Sequence, residues 1–283
     1  MRKIAIITVA LALIVEAASP APADLAIRLS GGLTFISGGD FKTGLSGEND
    51  FLKQSSKDFS GKLEAPASGL DVSGELLVQF KRFGLGLGAG YFRLSQESSV
   101  QYAWDYFWWT VEEKRTIKPD IKVIPVTLSI YWRVPIGTRI TLSIGGGPGF
   151  YLTKLRYNSN LISSLLDQNP AEYSFQANKT TFGAQGVLDI EIRLSRNLAL
   201  LAGVRGRLAK VDDIRGDGSF RWKSFQQSSQ DVYWIYDQAV DDKKYQRFSF
   251  TAETPSEIGV ENARKGNLDL SGVTAIFGFQ FGF

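Results

Sequence analysis

Eight stretches of this chain place apolar residues on every second position, and a period of two obliges each to form a strand with one apolar and one polar face. The first sets Leu25, Ile27, Leu29, Leu33 and Phe35 against Arg28, Ser30, Gly32 and Thr34. The second sets Leu70, Val72, Leu76 and Val78 against Asp71, Ser73, Glu75 and Gln79, and the third sets Phe83, Leu85, Leu87 and Tyr91 against Gly84, Gly86, Gly88 and Gly90. Val126, Leu128, Ile130 and Trp132 mark the fourth, and Ile140, Leu142 and Ile144 the fifth. The sixth opposes Phe182, Ala184, Leu188, Ile190 and Ile192 to Gln185, Asp189, Glu191 and Arg193. The seventh opposes Leu198, Leu200, Ala202, Val204 and Leu208 to Arg205 and Arg207, and the last carries Val273, Ala275, Phe277, Phe279, Phe281 and Phe283.

Alternation also suits a soluble sandwich or barrel, but the charges in mid-strand do not, because a dry core rejects them. The polar face is therefore expected to line an interior and the apolar face to meet lipid. The connections agree. Very short turns at 81–82, 135–138 and 195–197 alternate with long segments at 37–69, 95–120, 154–179 and 210–267, the asymmetry of outer-membrane barrels with short periplasmic turns and long extracellular loops. A mean hydropathy of −0.08 argues against a helical membrane bundle and fits a barrel in which only half of each strand is apolar.

The N-terminus reads as a secretory leader. Arg2 and Lys3 precede an uncharged apolar run, Ile4 to Val15, and Ala21-Pro22-Ala23 supplies small residues for cleavage. Glu16 ends the run short of the ~20 residues a spanning helix needs. The expected organisation is a cleaved signal peptide, residues 1–23, and one barrel domain, residues 24–283.

At the other end, Phe277-Gly278-Phe279-Gln280-Phe281-Gly282-Phe283 resembles the assembly signal of bacterial outer-membrane barrels, with Gly278, Phe281 and Phe283 at matching positions and Ile276 where a polar residue is usual. With these residues the whole mature chain resembles the small eight-stranded outer-membrane barrels, the class of OmpX, OmpW and the OmpA transmembrane domain. The resemblance covers the strand pattern and none of the loops. It implies an all-β, antiparallel up-and-down barrel in the outer membrane of a Gram-negative-type bacterium. Its implied partners are outer-membrane lipids and lipopolysaccharide, with the barrel-insertion machinery and periplasmic chaperones during assembly. We expect a monomer. A ten-stranded barrel, with two further strands within 218–253, is the structural alternative.

Eight strands enclose a lumen just wide enough for side chains to fill. Arg28, Arg193, Arg205 and Arg207 face Glu75, Asp189 and Glu191, with Lys81 and Asp71 nearby, on one arc, opposite a glycine-lined arc. The near-equal signs suit a polar plug of ion pairs; an off-centre channel or small-molecule pocket is the alternative. If the plug is one network, Glu191→Ala should leave Arg205 or Arg207 under-paired.

Five of the 6 Trp fall in the long segments. Trp104, Trp108, Trp109, Trp222 and Trp234 either help form an interfacial girdle and a small core over the mouth or make a surface for glycan, lipid or protein. Tyr102, Trp104, Tyr106 and Trp108 share a parity and are expected to extend a hairpin beyond the lipid boundary. With 0 His and 0 Cys, the chain lacks the histidine on which the lipid A deacylases, phospholipases and omptin-type proteases of this barrel class rely. A charge of +3 is too balanced for a nucleic-acid footprint. The expected role is structural or surface-interacting, without enzymatic activity, metal or cofactor; the alternatives are a transporter or receptor for a small apolar solute, as OmpW-like barrels imply, or an adhesin acting through the aromatic loops.

Overall fold

The computed structural model describes residues 24–106, 108–166, 169–240 and 242–283, and the expected leader, 1–23, lies outside the described residues. In chain order the elements are β1 (Asp24–Ile36), α1 (Gly39–Ser55), β2 (Lys57–Lys62), β3 (Ser68–Gln79), β4 (Phe83–Ser95), β5 (Ser98–Tyr106), β6 (Trp109–Ile136) and β7 (Ile140–Ser163). After a single 3-10 turn come β8 (Ala171–Arg193), β9 (Leu198–Val211), β10 (Arg215–Trp222), β11 (Phe225–Val240), β12 (Lys243–Thr251), β13 (Val260–Lys265), β14 (Leu268–Asp269) and β15 (Gly272–Gly282).

Each of the eight alternating segments lies in one strand of a closed antiparallel ring, ordered β1-β3-β4-β6-β7-β8-β9-β15 and back to β1. Pairing of the last strand with the first closes it: Leu29 lies opposite Phe279, and Phe35 opposite Val273. The turns 80–82, 137–139 and 194–197 gather at the end that also holds Asp24 and Phe283. The apolar parity points outward all round the ring; Leu208 is 70% exposed and Phe277 67%. Exposed aromatic rings border this belt on both sides, Phe35, Tyr91, Phe150 and Phe182 toward the long-segment end and Phe83, Trp132, Phe281 and Phe283 toward the turn end. β11 and β12 pair with each other and stay out of the ring, so the count is eight rather than ten.

The long segments are not loops. β6, β7 and β8 continue well past the apolar belt, and the surplus length pairs with β5, β10 and one another. Their polarity inverts where the belt ends. On β6 the outward residues change from Trp132, Ile130, Leu128, Val126 and Ile124 to Lys122, Lys118 and Lys114, while the inward ones change from Arg133, Tyr131, Ser129 and Thr127 to Val123, Ile121 and Ile117. The strand does not break; only its surroundings change. Above the belt the barrel has the apolar inside and polar outside of a soluble protein.

Helix α1 closes that upper interior. Phe41, Leu45, Glu48 and Leu52 lie three to four residues apart and form its buried stripe. Asp40 in the first turn and Lys53 in the last complement the helix dipole. Gly47 allows the helix to lie directly on β12, since a Cβ there would sit 1.9 Å from the Gln246 carbonyl oxygen. Below it Tyr157, Phe175, Tyr233, Phe248 and Phe250 form an aromatic cluster, with the Phe175 and Phe250 rings stacked at 4.3 Å. Phe41 meets Tyr157 and Tyr233 at 6.2 Å and Phe248 at 5.7 Å. Phe41→Ala should cost about 3–5 kcal/mol of cap packing. The expected readout is faster proteolysis within 37–69 while the ring stays intact on a gel.

Candidate functional site

Two separate ion-pair clusters fill the ring at the level of the apolar belt. In the first, Arg28 on β1 donates from Nε to Gln280 Oε1 at 2.8 Å and from one terminal nitrogen to Asp189 at 3.3 Å; its other terminal nitrogen binds Glu191. Glu75 approaches the same guanidinium at 3.8 Å, and the Tyr131 ring lies 4.8 Å from its centre. Arg133 binds the second oxygen of Glu191 at 2.7 Å and Gln79 at 2.7 Å, and the Ser143 hydroxyl donates to Glu191 at 2.8 Å. The second cluster lies nearer the cap. Asp71 faces Arg205 at 3.6 Å and Arg207 at 3.8 Å, Arg205 donates to Ser73 at 3.1 Å, and Arg207 donates to Thr34 at 2.6 Å and to the Leu270 carbonyl at 3.2 Å.

This division corrects the expectation of one network. Glu191 holds Arg28 and Arg133, whereas Arg205 and Arg207 depend on Asp71. Arg193 joins neither cluster; it is exposed and lines a turn-end vestibule of about 490 Å³ with Arg139 and Arg196. Arg133 reaches Glu191 from β6, on the arc expected to be lined by glycine, so its place in the network is not legible from the strand pattern. In fact Tyr131 projects from that arc and donates to Glu75 at 2.8 and 3.0 Å. The glycines make room for it: a methyl at Gly145 would lie 2.3 Å from its ring, and one at Gly86 2.2 Å from a Glu75 oxygen. The remaining cavity, lined by Arg28, Glu75, Tyr131, Asp189 and Arg205 among others, holds about 40 Å³, far below the ~300 Å³ at which small-molecule pockets begin.

A further pair of clamps ties α1 to the strands above the belt. Buried Glu48 accepts from Arg115 of β6 at 2.8 Å and from Arg247 of β12 at 2.6 and 3.1 Å. Asp40 accepts from Arg264 of β13 at 2.6 and 2.8 Å and from the Asn267 side chain. Burial by itself would raise the Glu48 carboxyl, but Arg115 and Arg247 outweigh it and hold the group below the usual glutamate range. Desolvation at Asp40 is likewise outweighed by Arg264 and Asn267, so its carboxyl is lowered as well.

The tryptophans are spread over separate hairpins. Trp104 donates to Glu113 at 3.1 Å and packs edge-on against Tyr102 at 5.6 Å, on the β5–β6 hairpin that their shared parity predicts. Trp108, 86% exposed, and Trp109 meet at 6.3 Å at its tip. Trp222 ends β10, and Trp234 on β11 donates to the Thr251 carbonyl at 3.2 Å. Trp104 packs against the aromatic core over the mouth, which is built around Tyr233, Phe248 and Phe250. In the terminal motif Gly278 admits β1, since a Cβ there would lie 2.1 Å from the Leu29 carbonyl oxygen. Phe281 faces Ile27 and Leu198, and the Phe283 amide donates to the Leu25 carbonyl at 2.9 Å.

Glu191→Ala removes the carboxylate shared by buried Arg28 and partly buried Arg133 and should lower stability by about 3–5 kcal/mol, read by urea unfolding in detergent micelles. Asp71→Asn should act additively with it if the clusters are independent. For the cap the sign follows from the depressed carboxyls: their contribution is complete above the unfolded value of about 4.3 for glutamate and is lost as pH falls through the lower folded value. Protease resistance of 37–69 should hold steady from pH 7 to about 5 and decline below about 4, and Glu48→Gln should weaken it at neutral pH.

No protein-family profile and no curated protein matches the chain. Among solved structures it is similar to the outer membrane protein OprG from Pseudomonas aeruginosa, at 14% identity and a TM-score of 0.41, over 93% of this chain and 97% of that one. It also aligns with a Pseudomonas aeruginosa FadL homologue at 8% identity and a TM-score of 0.13, over 92% and 88% of the two chains. At these values the functional assignment rests on the chain's own surface and interior.

Proposed function

We propose that this chain spans a bacterial outer membrane as a monomeric eight-stranded barrel with a closed lumen, and that it serves a structural or surface-interaction role without enzymatic activity or cofactor. One observation carries the reading: a belt of exposed apolar side chains, bordered by aromatic rings, surrounds a ring of strands closed on itself. Water would penalise such a surface, and a bilayer requires it. The turn end then lies in the periplasm, and α1 with the extended strands lies outside the cell. The two lumen clusters and the cap support the closed form, since each blocks a different level of the same axis. Lipopolysaccharide and phospholipid are the surrounding partners, with the insertion machinery and chaperones acting during assembly.

A second reading, transport or reception of a small apolar solute, draws support from the wall. β8 leaves β9 after Gly183 and takes up β10 only at Ala177, so residues 178–182 have no backbone ladder partner on that edge, where the Thr181 hydroxyl donates to the Lys210 carbonyl of β9 at 2.6 Å, just beside the apolar upper interior. One set of measurements separates the readings. Protein refolded into phospholipid vesicles should show a heat-dependent gel shift and protease protection of the ring strands, and in planar bilayers it should give no steady ion conductance. Failure to insert would overturn the barrel reading. Co-purification of an apolar molecule, or saturable uptake of one, would favour the second.

A further inference from the structure

We propose that Arg93, Lys122 and Lys154 form a phosphate-binding row for a phosphorylated amphiphile of the outer leaflet, with the acyl chains lying on the apolar belt directly beneath. The inference rests on the outer-membrane reading and adds to it a named site and a ligand class.

The ladder places these cations side by side. Arg93 of β4 is opposite Lys122 of β6, and Lys122 is opposite Lys154 of β7. All three have outward parity, one outward step beyond exposed Tyr91, Ile124 and Leu152. That step is two residues, about 7 Å along a strand, and the row spans about 10 Å across three strands. Like charges directly opposite one another destabilise a sheet, and a merely solvated face mixes its signs.

Elsewhere above the belt this chain does mix them. Lys57 pairs with Asp105, Lys118 with Glu97, Lys210 with Asp212 and Lys244 with Glu261. Around the row a single carboxylate, Asp120, serves several cations. Arg93 donates to it at 2.7 and 3.2 Å, Lys122 lies at 3.6 Å, and Arg156 is opposite it in the ladder while donating to Gln176 at 3.0 Å. The Lys154 side chain makes no hydrogen bond or ion pair among the described residues. The cluster therefore carries excess positive charge where the headgroup phosphates of the outer leaflet would lie, and Arg and Lys are the groups that bind phosphate oxygens. Free phosphate offers the same anion but gains nothing from the belt, which favours the lipid.

The full chain, refolded in uncharged detergent micelles, is incubated with bisphosphorylated lipid A, with dephosphorylated lipid A or with inorganic phosphate, and bound lipid is counted by native mass spectrometry. Strong retention of the bisphosphorylated form is expected, with weak retention of the dephosphorylated one and little competition from millimolar phosphate. Lys122→Gln with Lys154→Gln should reduce retention by about fivefold per lysine, whereas Lys244→Gln should leave it unchanged. Equal retention of the two lipids, undiminished retention by the double variant, or full displacement by inorganic phosphate would overturn the proposal. If the double variant does not give the folded gel band, Lys154→Gln alone decides with the same readouts. Insertion into vesicles reports on the barrel itself, so its failure is distinguishable from failure of the site.

Discussion

The pairing of β15 with β1 is the constraint on which the rest of the structure depends. In a hydrocarbon medium each unpaired backbone N–H or C=O costs several kcal/mol, so a spanning sheet must close. Closure with eight strands makes the lumen narrow, and a narrow lumen lined by charged side chains must satisfy them within itself. Arg28 meets that demand with Gln280, Asp189, Glu191 and Glu75, which come from three other strands. The glycines at 86 and 145 are the steric counterpart, yielding the space that Tyr131 and Glu75 occupy.

The same strands carry two different interiors. At belt level the inside is ionic and the outside apolar; beyond it the inside is an apolar, aromatic core and the outside is polar. The inversion is what one continuous strand would need on passing from lipid to water. It also explains the cap. An apolar interior opening upward would be exposed to solvent unless covered, and α1 covers it with Phe41, Leu45 and Leu52. Two carboxylates of the helix, Asp40 and Glu48, are fixed by arginines from β6, β12 and β13, so the helix is oriented by charge as well as by packing.

The row of Arg93, Lys122 and Lys154 sits at the level of that inversion. Its members are separated by tens of residues in sequence, and only the ladder makes them neighbours. The lumen clusters have the same origin: Arg28 and Glu191 belong to the first and sixth alternating segments and meet across the axis.

Period-two patterning, the short turns and the phenylalanine-rich terminus are enough to determine eight ring strands and which face of each is apolar, while the inside is legible only in part, since Arg193 is exposed at the turn end and Arg133 and Tyr131 join the lumen network. Those properties are local, because side-chain direction alternates whatever the neighbour. Helix α1 was illegible because Gly44 and Gly47 weaken its propensity and its stripe includes a glutamate; packing on β12 stabilises it. The extensions of β6, β7 and β8 look like loops in sequence because their outward residues turn polar at the belt edge, charged on β6 and β7 and neutral on β8, which resembles the end of a strand. The tertiary structure alone decided which arginine meets which carboxylate, since shear and lumen diameter determine who faces whom across the axis. That is why Glu191 belongs to Arg28 and Arg133, and Asp71 to Arg205 and Arg207.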